Sequence, residues 1–161
     1  MLRDELLRLI RNNSRIELKD LAVMLGAEET AVANEIADLE KEGIICGYYT
    51  LINWDNTNEE MVDALIEVNV NTSGDLGFDT IAERFYMFDE VKSCYLISGR
   101  YDFLLMLEGK TMRQVANFVS SKLSPIEHVT GTATHFIMKR YKDYGTVLGA
   151  VRKDCREKMS I

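Results

Sequence analysis

The chain has 161 residues, a net charge of −7, and a composition that is 47% apolar, 28% charged and 9% aromatic, which fits one ordinary soluble domain or two small ones. One proline and ten glycines exclude a disordered or collagen-like chain, and no apolar run approaches the ~18 residues of a membrane span. Residues 1–12 are charged throughout and lack a signal-peptide core, and Cys46, Cys94 and Cys155 are too sparse for a disulfide framework or a Cys-rich zinc site, so the chain reads as cytoplasmic, without membrane attachment and without a cofactor.

The charge is unevenly spread: residues 1–46 are net −4, residues 47–138 net −7, and residues 139–161 net +4. An acidic body thus carries a basic tail. Leu2, Leu6, Leu9 and Ile10 recur at helical spacing until Asn12-Asn13-Ser14 breaks the pattern. Leu18, Leu21, Ala22 and Leu25 form a second stripe stopped by Gly26, and Val32, Ile36 and Leu39 a third stopped by Gly43. Three helices with a tight glycine turn between the second and third predict a helix-turn-helix.

From residue 62 the period changes. Val62, Ala64, Ile66, Val68 and Val70 alternate with Asp63, Glu67, Asn69 and Asn71, as in a strand. Gly74 and Asp75 turn into a helix carrying Phe78, Ile81, Ala82 and Phe85. Strands over 90–98 and 102–108 are joined at Gly99-Arg100-Tyr101. Thr111 and Gln114 form a capping box before an apolar helix ended by Pro125, and 129–138 is a last strand. The order β-α-β-β-α-β predicts an α+β, ferredoxin-like domain over 62–145. Residues 47–61 link the halves and start with a short strand at 48–52, and 146–161 form the basic tail.

A ferredoxin-like sheet packs its helices on one face, yet these strands are apolar on both. Phe103, Leu105 and Leu107 alternate with Leu104 and Met106. The second face predicts a homodimer joined through the sheets. The other reading folds the N-terminal domain back over the sheet.

Leu18-Lys19-Asp20-Leu21-Ala22, Leu39 through Tyr48, Cys94 through Asp102 and the Thr-rich last strand occur in an order that resembles the Lrp/AsnC, or leucine-responsive, transcription regulators over residues 2–146. The resemblance implies a winged helix-turn-helix at 1–46, with Ile44 and Ile45 feeding a wing strand. It implies a ferredoxin-like RAM sensing domain after it. It also implies double-stranded DNA and a small effector, an amino acid, as partners, and a homodimer or higher oligomer.

The third helix departs from the usual pattern of DNA readers: Glu28 stands where relatives place a Ser or Thr cap, Glu35 and Asp38 stand at basic positions, and the outward face is expected to carry Glu29, Glu35 and Asp38 beside Thr30, Asn34 and Lys41. Thr30, Asn34 and Lys41 are its DNA-contact candidates, and Arg15 and Lys19 add phosphate candidates. Either DNA contact lies partly outside this helix, on Arg11, Arg15 and Lys19 or on the tail, or the helix-turn-helix no longer binds DNA. The tail reads as a solvated terminus or as extra phosphate contact, with Val147, Leu148 and Val151 on an amphipathic helix.

The turn Ser98-Gly99-Arg100-Tyr101-Asp102 is the effector candidate. Gly99 permits positive φ and close backbone approach, Arg100 clamps a carboxylate, and Asp102 accepts from an ammonium group. The resemblance adds Thr132, Thr134 and His135. The competing reading is a plain hairpin. A branch similar to this family decarboxylates siroheme, and His135 with Arg100 is the remnant such an enzyme would need. The expectation is nevertheless a regulator and not an enzyme, with no metal site.

Overall fold

The computed structural model describes residues 2–72, 77–109 and 111–149. The expected turn at Gly74-Asp75 and most of the basic tail, with Val151 and Cys155, lie outside the described residues. The chain forms two compact units, 1–50 and 51–161.

The first unit is helical: α1 spans Leu2–Asn12, α2 Leu18–Leu25 and α3 Glu29–Lys41. Their apolar stripes meet in a core of Leu6, Leu21, Ala22, Val32 and Leu39. Gly26 ends α2 in the left-handed region, at φ 60°, a conformation that costs a residue with a Cβ about 1–2 kcal/mol. Its N–H returns to the carbonyls of Ala22 and Val23. Gly43, at φ 70°, reverses the chain after α3. The N–H groups of Ile44 and Ile45 then both donate to the Leu39 carbonyl, at 2.9 and 3.1 Å. That use of their donors corrects the expected wing: residues 2–50 contain no strand.

The second unit holds a four-stranded antiparallel sheet built from β1 (Val62–Val70), β2 (Val91–Leu96), β3 (Phe103–Gly109) and β4 (Val129–Phe136). The order is β2-β3-β1-β4, with α4 (Phe78–Tyr86) and α5 (Met112–Phe118) as the crossovers. This is the ferredoxin-like arrangement. Ala64, Ile66 and Val68 pair with Leu107, Leu105 and Phe103, and all six are buried beneath the helices. Phe85 of α4 meets Phe103 edge-on, with centroids 5.2 Å apart. Thr111 caps α5 by accepting from the Gln114 N–H at 3.2 Å, and the helix runs on through a wider turn to Leu123.

Two expected elements differ. Residues 48–52 form no strand, because a strand needs a ladder partner and none of the described residues supplies one. The linker has only a short 3₁₀ turn at Trp54–Asn56. The start of the tail is a hairpin and not a helix, pairing β5 (Lys142–Asp143) with β6 (Thr146–Val147). Its turn residues Tyr144 and Gly145 have φ of 43° and 80°. Positive φ at both central positions is the type I′ geometry that closes two-residue hairpins and is incompatible with a continuing helix.

Candidate functional site

Two surfaces carry the candidate residues, one in each unit. On α3 the buried Val32 and Leu39 set the helix phase. At about 100° per residue, Thr30, Asn34 and Lys41 fall on one exposed stripe opposite the core, together with Ala31, Ala37 and Asp38. Of the acidic residues at this helix, Glu28 and Glu29 are exposed at its N-terminal end and Asp38 lies in the stripe itself. Glu35 lies on the flank toward α1, where Arg3 Nε is 3.4 Å from its Oε1. Arg3 also pairs with Glu42. Glu40 accepts from the Tyr48 hydroxyl at 2.9 Å. Asp38 is the one carboxylate within the stripe. Arg15 and Lys19 are exposed and, like Lys41, form no ion pair among the described residues.

In the second unit, β2 and β3 are joined by residues 97–102. The N–H groups of residues 98–101 donate to no other group among the described residues. They form a set of free donors at an exposed tip. Gly99 sits outside the left-handed region, and a Cβ there would meet only Ile97 at 3.6 Å, so the backbone does not require glycine for the reason the sequence suggested.

Asp102 does more than border the turn. Its Oδ2 accepts from the Val70 N–H at 2.8 Å, its N–H donates to the Val68 carbonyl, and its carbonyl accepts from Ile97. The residue anchors the hairpin to the end of β1, and its other carboxylate oxygen is left for solvent or a ligand.

Arg100 and His135 are brought together by a residue the sequence reading passed over. Glu67, in the middle of β1, points to the face opposite the helices, and its side chain is only 16% exposed. Arg100 Nη2 lies 3.1 Å from one of its oxygens and His135 Nε2 3.3 Å from the other. A carboxylate on a largely apolar face needs such partners to offset its lost hydration. The available signal was its place among the alternating polar residues of β1, which read simply as a solvated series.

The remaining strand candidates separate. Thr132 and Thr134 pair with the buried Val68 and Ile66, so they face the helices. The Thr132 hydroxyl lies 3.4 Å from that of Ser124. His135 pairs with Leu65 and faces the open side. Within this unit the three do not share a surface.

The open face has an apolar centre, Leu65, Leu104, Met106 and Tyr95, bordered by charge. Asp63 stands directly across the ladder from Glu108 and pairs with Arg140, which also reaches Asp143 at 3.5 Å. Burial pushes the Asp63 carboxyl above its ordinary value; Arg140 opposes this and Glu108 reinforces it. A separate cavity of about 450 Å³ opens at the far end of β3, against α5. It is lined in part by Glu90, Glu108, Asn117 and Lys122 and contains none of the candidate residues. Among the described residues no cluster of His, Cys, Asp or Glu offers a metal site, and no helix is long and apolar enough to cross a membrane.

Comparison with known proteins places these surfaces in context. Residues 63–147 match the Lrp/AsnC ligand binding domain. The chain is similar to YugG of Bacillus subtilis, named as an uncharacterized HTH-type transcriptional regulator, 44% identical over 144 residues, 89% of this chain and 87% of that one. It is 28% identical to the leucine-responsive regulatory protein of Haemophilus influenzae, over 86% of this chain and 82% of that one. Among solved structures, a transcriptional regulator of Neisseria meningitidis in complex with L-Met shares the fold at a TM-score of 0.70 and 22% identity, covering 88% of this chain and 91% of that one. AsnC of Escherichia coli shares it at 0.65 and 17%, over 86% and 91%.

The two carboxylates generate separate expectations. Asp102→Ala leaves the Val70 N–H without its acceptor and is expected to cost about 1 kcal/mol in urea unfolding. Asp102→Asn keeps an acceptor oxygen and should stay near wild-type stability while losing the charge that an ammonium group would meet. For Asp63, a folded pKa above the unfolded one means the folded state holds the proton more tightly. Stability therefore falls as pH rises through the interval between the two values, from about pH 4 upward. The Asp63 contribution appears in the difference between wild type and Asp63→Asn: the wild-type urea midpoint should fall relative to the variant's as pH rises across that interval, since other carboxylates, Glu90 among them, titrate alike in both.

Proposed function

Because this chain belongs to the Lrp/AsnC family of transcriptional regulators, we propose that it is a sequence-specific DNA-binding regulator that responds to a small effector, an amino acid. The observation that carries the reading is the exposed stripe of α3. A helix held by two others, entered through the Gly26 turn and showing Thr30, Asn34 and Lys41 outward, has the form of a helix that enters a major groove. Arg15 and Lys19 supply phosphate contacts, which position the protein but carry no sequence information. Engagement of Glu35, Glu40 and Glu42 within the unit supports this reading over a helix that has abandoned DNA, while Glu28, Glu29 and Asp38 stay exposed and oppose phosphate contact.

The effector reading rests on the 97–102 turn. Free N–H groups at Ser98, Gly99 and Arg100 and an exposed guanidinium suit a carboxylate, and the uncommitted oxygen of Asp102 suits an ammonium group. The Neisseria meningitidis neighbour was solved with L-Met, which supports an amino acid as the ligand class. His135 joins this site through Glu67; Thr132 and Thr134 enter it only if a second protomer brings them there. The apolar centre of the open sheet face is the surface for a homodimer, because Leu65, Leu104 and Met106 find no cover from α4 or α5. The relatives carry the names of transcriptional regulators, which favours this reading over a decarboxylase built on His135 and Arg100.

Electrophoretic mobility of the DNA upstream of the protein's own gene tests the function, with and without each standard amino acid. A shift at low salt that one amino acid strengthens or weakens is the expected result. No shift with that DNA or with any sequence selected from a random pool would remove the DNA-binding reading. In parallel, Leu104→Asp puts a charge into the apolar face and should move the sedimenting species from dimer toward monomer. A wild-type protein that sediments as a monomer at micromolar concentration would refute the dimer.

A further inference from the structure

We infer that Asn34 of α3 reads an adenine in the operator, and that Ala31 and Thr30 read the methyl group of a thymine on an adjoining base pair. The inference rests on the proposed DNA-binding function and names the base chemistry that this helix selects. Three observations on α3 carry it. The first is phase. With Val32 and Leu39 buried, Asn34 lies at the middle of the exposed stripe, and Thr30, Ala31 and Lys41 fall within about 60° of it.

The second observation is the chemistry of that stripe. No arginine is present on α3, and its one lysine, Lys41, is the last residue of the helix. The bidentate pairing of Arg or Lys with guanine is therefore missing from the part of the helix that meets base edges. Asn34 is the side chain there with a donor and an acceptor in the spacing that matches adenine N6 and N7. Ala31 and the Thr30 methyl are small and apolar, which suits the thymine C5-methyl and leaves room for close approach. The third is charge. Arg3 and the Tyr48 hydroxyl hold the flanking carboxylates Glu35, Glu42 and Glu40 within the unit, so the stripe itself carries one carboxylate, Asp38, with Glu28 and Glu29 exposed beyond its N-terminal end.

Spacing is consistent with a single reading frame. Residues three and four apart stand about 4.5–6 Å apart along the helix axis. Successive base pairs are about 3.4 Å apart, so Asn34 and the Ala31–Thr30 pair address neighbouring or next-neighbouring steps. Lys41, at the C-terminal end of the stripe, is left for a phosphate.

The experiment selects binding sites from random duplex DNA with the full-length wild type, Asn34→Ala and Asn34→Arg. Asn34 is exposed, and circular dichroism of each variant establishes that it is folded. The wild type is expected to enrich a half-site with one strongly preferred adenine. Asn34→Ala should lose about 5- to 150-fold of the discrimination at that column alone, and Asn34→Arg should convert the column to guanine. Replacing thymine by uracil beside that column should weaken wild-type binding severalfold, and should matter less once Ala31→Gly removes the methyl contact.

An enriched motif that is unchanged in both Asn34 variants overturns this inference and leaves DNA binding standing. A uniform loss of affinity with an unaltered motif also overturns it, because that is the signature of a phosphate contact. Failure of the wild type to enrich any sequence removes the DNA-binding reading itself, and this inference with it.

Discussion

Each residue of β1 must face either the helices or the opposite side of the sheet, and that parity organises the second unit. Ala64, Ile66 and Val68 are buried against α4, α5 and their cross-strand partners. A slip of one residue would expose all three, so the register is strongly specified. Once it is set, Glu67 has no choice of side. Its carboxylate stands on a largely apolar face and takes Arg100 and His135 as partners. The position of the hairpin tip at 98–101 is thereby coupled to the core through one strand.

The same logic governs α3. Val32 and Leu39 fix its phase, and a period of about 3.6 residues then decides which of its many charges face outward. Net charge is a poor guide to such a surface. Glu35 and Glu42 share Arg3, Glu40 is bonded to Tyr48, and the outward stripe is left small and nearly neutral. Bulk composition describes the field at a distance, whereas recognition depends on the few groups within hydrogen-bond reach.

The turn at 97–102 shows how one residue serves two ends. Asp102 anchors the hairpin with one oxygen and leaves the other without a partner among the described residues, so a ligand at the turn would be held by a group already immobilised by the fold. Preorganisation of this kind lowers the entropy lost on binding. Arg100 is arranged likewise, tethered by one N–H to Glu67 while the rest of its guanidinium remains available.

Much of the fold was legible in the sequence because its signals are local. Helical and strand periods, the stops at Gly26 and Gly43 and the Thr111 cap each depend on residues within a few positions of one another. They sufficed for three helices followed by β-α-β-β-α-β. Alternation alone would also have separated Thr132 and Thr134 from His135, since they differ in parity along β4. What only the tertiary structure decided is long-range. The Glu67 pairing with Arg100 and His135, the Asp102 bond to the Val70 N–H, and the capture of Glu35 and Glu42 by Arg3 join residues about 30 to 70 positions apart. Local chain order has no bearing on which distant donor finds which acceptor; strand register and helix packing bring those groups together. The unformed wing and linker strand belong here as well, because a strand exists only where a partner edge is present to accept its hydrogen bonds.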